Sequence, residues 1–212
     1  GATALTIAAK NGHEAVVNAL LAKGAKVDIQ TTDGITALML AIQKGHESIV
    51  DVLIAKGANI NLQTKDKVTA LMIAALEGRT SIVEKLLAKN APIDTLASDN
   101  TTALYMAARN GHTTIVEMLL AKNAPIDLLA ANDTTALYIA AQNGHTDVVN
   151  ALLTKGAKVD LKDKATRTIG KLMVPRTLSL AITQIDLLVT TVIASGLAAG
   201  SLAIFNLANN LQ

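Results

Sequence analysis

The 212-residue chain has no cysteine and no tryptophan, two tyrosines and one phenylalanine. Without cysteine it can build neither a disulfide framework nor a thiolate metal site. With so few aromatic side chains, one large globular core is a poor fit, because aromatic rings supply much of the buried area in such cores. Ala, Leu, Ile and Val suit thin repeated layers better. An excess of one charge is also missing. The net charge is +2, and residues 1–165 carry sixteen basic and sixteen acidic side chains. Nucleic acids select a basic face, so a neutral surface argues against them as partners. Phosphate loop, dinucleotide fingerprint and nucleophile elbow are all absent. No cofactor, no metal and no catalytic residue is therefore expected, and the chain does not read as an enzyme.

What is present is repetition. Thr-Ala-Leu begins at Thr3, Thr36, Thr69, Thr102 and Thr135, at a constant step of 33 residues. A fixed period of this size marks a solenoid or array. One unit can be read in detail. Thr36 is a suitable N-cap for a first helix. Leu38, Ala41 and Ile42 form an apolar stripe at helical spacing, and Gly45 supplies the left-handed residue that ends the helix. Ile49, Val50, Leu53 and Ile54 form the stripe of a second helix, ended by Gly57. Asn90 and Asn123 take that place in later units, followed by Pro92 and Pro125, which block further helix. Thr32-Asp33-Gly34 is a turn signal for a short hairpin between units. Its Gly34 is replaced by Lys67, Asn100 and Asp133 further on. Lysine tolerates positive φ poorly, so strain or an altered turn is expected at Lys67.

This pattern resembles the ankyrin-repeat family over residues 1–165. The resemblance implies an all-α solenoid of helix-turn-helix units with β-hairpin loops, divided as 1–33, 34–66, 67–99, 100–132 and 133–165. It implies a protein-binding scaffold that engages its partner through hairpin tips and the concave face. Carried onto this chain, the contact set is Thr32, Asp33, Ile35, Gln43 and Lys44; then Lys65, Asp66, Val68, Leu76 and Glu77; then Ser98, Asp99, Thr101, Arg109 and Asn110; and finally Asn132, Thr134, Gln142 and Asn143. These positions vary between units while the framework does not. Only Arg109 is of a type that dominates interface energetics, so a modest, polar interface is expected.

Two features invite a sharper chemistry. His13, His46, His112 and His145 each follow a helix-ending glycine, with Arg79 in the third unit. Units stack about 10 Å apart, one helix diameter, too far for neighbouring rings to share an ion. His13-Glu14 and His46-Glu47 begin a zincin-like motif, but Val17 and Val50 stand where its second ligand would be. The histidines therefore read as structural residues at the start of the second helix. Tyr105 and Tyr138 share a slot with Met39 and Met72 and read as partly buried packing.

The last part of the chain is different in kind. Residues 166–176 form a basic linker, and after Arg176 only Asp186 is charged. Leu178 to Gly196 is long enough for one spanning helix, and residues 197–212 begin another apolar stretch. Nine Leu, Ile and Val residues favour insertion of the first stretch by about 3–5 kcal/mol, which Asp186 returns by about 3 kcal/mol. Ser179, Thr183, Asp186 and Thr190 lie on one helical face, a pattern that within membranes faces a bundle interior or a watery cavity. Leu172–Thr177, Gln184–Leu188, Ala194–Ser201 and Asn206–Asn209 resemble the lipid II flippase (MurJ/MviN) family. That resemblance implies a groove-lining pair of membrane helices with Arg176 and the Asp186 face in the groove, and a cytoplasmic segment before them. Lys162, Lys164, Arg167, Lys171 and Arg176 agree with that orientation by the positive-inside rule.

Gly1–Lys10 has no basic stretch followed by an apolar run and does not read as a secretory signal. The chain opens inside a repeat and closes inside an apolar stretch, so a fragment of a longer protein is expected. The ankyrin-like part is expected in the cytoplasm and residues 177–212 in the membrane. The competing expectation is a soluble adaptor or effector with a hydrophobic C-terminal anchor or cap.

Overall fold

In the computed structural model, residues 1–159 are described. They hold ten short helices: α1 (Ala4–Lys10), α2 (Glu14–Ala22), α3 (Ala37–Lys44), α4 (Glu47–Ala55), α5 (Ala70–Leu76), α6 (Thr80–Ala88), α7 (Ala103–Arg109), α8 (Thr113–Ala121), α9 (Ala136–Gln142) and α10 (Thr146–Thr154). Each repeat thus contributes an antiparallel pair. None of these helices is long and apolar enough to cross a membrane.

The repeated threonine starts every first helix. Thr3, Thr36, Thr69, Thr102 and Thr135 all have extended backbone, and each hydroxyl accepts from the amide three residues on. This satisfies one of the orphan donors at the helix start. Four of these caps are buried, so water could not replace the lost bond. After each first helix the glycine takes the left-handed region, as at Gly45 with φ 74°. The chain reverses there and the next helix begins within two residues.

First helices pack on first helices, in the order α1, α3, α5, α7 and α9, and second helices stack behind them. The core is a set of columns at the repeat period. Ala8, Ala41, Ala74, Ala107 and Ala140 are all buried, and these small residues let the first helices approach closely. Val17, Val50, Val83 and Val116 form a second buried column; Leu53, Leu86, Leu119 and Leu152 form a third. Full burial of each such leucine contributes about 1.5–3 kcal/mol of transfer free energy. A core built of thin layers explains how the chain folds with so few aromatic rings.

The connecting loops correct one expectation. No strand forms among the described residues, and the only pairing of that kind is an isolated antiparallel bridge between Gln63 and Thr69. Each loop closes as a tight turn instead: the Gly34 amide donates to the Thr31 carbonyl at 2.9 Å, and the Thr31 amide donates to Ile35 at 2.9 Å. With the turn closed so tightly, the next residues are already helical caps, which leaves no length for a ladder. Lys67 meets the expectation through strain and not through an altered turn. It adopts φ 59°, beside Asn100 and Asp133 at 59° and 58°, and its amide donates to Thr64 at 2.9 Å. The turn keeps its shape, and the lysine bears the left-handed conformation.

The basic linker, the apolar segment 177–212 and the polar face of Arg176, Ser179, Thr183, Asp186 and Thr190 lie outside the described residues.

Candidate interaction surface

The turn tips form a row bonded through the backbone. The Lys65 amide donates to the Asp33 carbonyl at 2.9 Å, Ser98 to Asp66 at 2.9 Å, and Ala131 to Asp99 at 2.7 Å. Each bond joins one unit to the next. The side chains of Thr32, Asp33, Lys65, Asp66, Ser98, Asp99 and Asn132 are exposed along this row. Ile35, Val68 and Thr134 are half-buried beneath it, and Thr101 is buried.

Several tip side chains are engaged locally. Asp99 Oδ1 accepts from the Thr101 amide at 3.1 Å and from the Thr101 hydroxyl at 2.6 Å. Partial burial opposes ionisation of this carboxyl, but the Thr101 hydrogen bonds and the positive field of Arg109 outweigh it and hold the group below its ordinary range. In the next unit Asn132 Oδ1 accepts from the Thr134 hydroxyl at 2.7 Å, and that hydroxyl lies 2.9 Å from the Tyr105 hydroxyl.

The ends of the first helices bring the second half of the expected set to the surface. Gln43, Lys44, Arg109, Asn110, Gln142 and Asn143 are exposed, with Leu76 and Glu77 half-buried. Asn110 and Asn143 also serve the stack: their amides donate to the Leu76 and Arg109 carbonyls of the preceding unit at 2.6 and 2.7 Å.

Two features escaped the sequence reading. The first is an exposed leucine pair. Gln30 uses its amide to donate to the carbonyls of Gly34 and Gln63. Gln30 and Gln63 occupy a column that becomes Leu96 and Leu129 in the later units, and both leucines stay exposed, as does Leu128 beside them. Aligning the repeats by number would have found this change. The second is the reach of the histidines. His46 Nε2 donates to the Lys10 carbonyl at 3.1 Å, His112 Nε2 to Leu76 at 3.1 Å, and His145 Nε2 to Arg109 at 3.0 Å. The partner lies 36 residues back, so periodicity alone could not reveal it. The tyrosines separate: Tyr105 is buried, whereas Tyr138 is 52% exposed. No group of three or more potential metal-binding side chains forms among the described residues.

A family model described as ankyrin repeats (3 copies) matches residues 5–97 and again 71–163. The chain belongs to the ankyrin-repeat family. No curated protein matches it. Ankyrin repeats imply a protein–protein interaction role, and such repeats are generally interaction modules without enzymatic activity.

Proposed function

We propose that the ankyrin stack is a scaffold that binds a protein partner along the turn tips and the exposed ends of its first helices. One observation carries this reading. The four turn tips are fixed to one another by three backbone bonds, one between each neighbouring pair, while the side chains they display change from unit to unit. A rigid row with variable side chains is pre-organised for binding, because little conformational entropy is lost on association. Thr32, Lys65 and Ser98 occupy one position, and Gln43, Leu76, Arg109 and Gln142 another. Photo-crosslinking residues placed at Gln43 and Gln142 of the full chain should give discrete adducts, and the same residue at Glu84 and Glu117 on the second helices should not. Replacing Lys44, Leu76 and Arg109 together by alanine should abolish the adducts. Adducts that survive the triple substitution would place the partner elsewhere.

The resemblance of residues 167–212 to lipid II flippases supports a membrane setting, with the ankyrin stack in the cytoplasm as its interaction arm. The competing reading is a soluble adaptor or effector whose apolar C-terminal segment is an anchor or cap. Alkaline carbonate extraction separates them: an inserted segment stays with the membrane pellet, and release into the supernatant would overturn the membrane reading.

A further inference from the structure

We propose that the stack opens first between its second and third units, at the joint where Arg79 stands in place of histidine, so that units one and two leave together. The other described joints after the first unit share one device. A histidine ring from the later unit lies on the helix-ending glycine of the earlier one. A Cβ on Gly12, Gly78 or Gly111 would come within 2.7, 2.5 or 2.7 Å of the rings of His46, His112 and His145. From that position each ring donates to a carbonyl one unit back. The ring thus fills the gap between units and satisfies one of the carbonyls left without a helical partner at the end of a first helix.

Arg79 takes the same position. A Cβ on Gly45 would meet its Cζ at 2.8 Å, so the guanidinium covers the glycine as the rings do. Its Nε, however, is buried with no hydrogen-bond partner. A buried N–H without an acceptor has lost its water and gained nothing, which favours any opening that rehydrates it. The same unit carries Lys67 at φ 59° in the turn whose tip bonds back to Asp33. Lysine bears that conformation less readily than the Asn and Asp of later units.

On the opposite side the second helices of these two units carry side-chain bonds. Lys85 Nζ lies 2.7 and 2.8 Å from the two Asp51 carboxylate oxygens, and the Ser81 hydroxyl donates to Glu47 at 3.0 Å. The lysine and aspartate side chains are 36% and 54% exposed. Exposed ion pairs are weak and screened by salt, so they offset the loss at Arg79 only in part. In a solenoid, stability is a sum over neighbour interfaces, and a weak joint divides the array.

With each turn counted with the helix pair it leads into, equivalent amides report the joints: Lys65 for the second and third units, Ser98 for the third and fourth, Ala131 for the fourth and fifth. Native-state amide exchange on the full chain should show Lys65 with the lowest protection factor of the three. Arg79→His should raise Lys65 protection on the order of tenfold, the effect of one restored hydrogen bond, and leave Ser98 and Ala131 unchanged. His112→Arg should lower Ser98 protection by a similar factor. Equal protection of Lys65 and Ser98 in the natural chain would overturn the proposal. So would an Arg79→His effect spread evenly over all three amides.

Discussion

His112 Nε2 lies 3.1 Å from the carbonyl oxygen of Leu76, and the ring that reaches it rests on Gly78. One side chain therefore ties the second helix of the fourth unit to the end of a first helix in the third. The glycine has two duties: it adopts φ 67°, and it leaves room for a ring that arrives from 34 residues further along the chain.

Gly78→Ala tests both duties against Gly57→Ala, where φ is 83° and nothing lies within 4 Å of the added carbon. The left-handed conformation alone costs about 1–2 kcal/mol, which is the expected loss at Gly57. At Gly78 the His112 ring must swing away and forfeit its bond to Leu76, adding about 1 kcal/mol or more. Urea unfolding of the two variants measures the difference; equal losses would mean that the ring contact contributes nothing.

The buried cap at Thr102 accepts from the Tyr105 amide at 3.1 Å. Thr102→Ala should cost about 1 kcal/mol, and Thr102→Ser, which keeps the acceptor, should recover most of it. Thermal unfolding followed by circular dichroism distinguishes the two variants. An alanine variant as stable as the serine one would show that the hydroxyl does not cap.

Asp99 has a carboxyl held below its ordinary value of 3.8. A carboxyl with a depressed folded-state pKa adds stability above the unfolded value, and that stability is lost as pH falls through the folded one. Its contribution is therefore complete near neutrality and disappears in acid, from about pH 3.8 downward. Thr101→Val removes the hydroxyl donor at 2.6 Å and should move the Asp99 titration, followed by carboxyl-carbon NMR, upward toward the ordinary value. An unmoved midpoint would assign the depression to the backbone amides and Arg109 instead.

Much of this was legible in one dimension. The threonine caps, the Leu38–Ala41–Ile42 and Ile49–Val50–Leu53 stripes and the left-handed Asn90 and Asn123 all follow from local chemistry within a few residues, and the structure has each of them. The expected hairpins do not form among the described residues. A turn signal such as Thr32-Asp33-Gly34 specifies the reversal, but a ladder needs paired extended residues on both sides. Here the Thr36 cap begins the next helix two residues after Gly34.

The candidate surface was legible as a set of positions but not as a structure. Asn110 and Asn143 stand in variable, polar positions, so sequence places them on the surface, and they are exposed. Nothing local shows that their amides also hold the preceding unit. Likewise Arg79 differs from four histidines in the aligned repeats, yet only three dimensions show that its Nε is left without an acceptor.

The sequence by itself determined the period, the helices and their caps, because those depend on contacts three or four residues apart that each unit repeats. Tertiary structure decided how one unit grips the next. Those contacts join residues about one period apart, and whether a donor meets its acceptor depends on side-chain reach across the joint. A histidine ring and an arginine side chain both cover the glycine there, but only the ring nitrogen meets the carbonyl, as His112 does and the Nε of Arg79 does not.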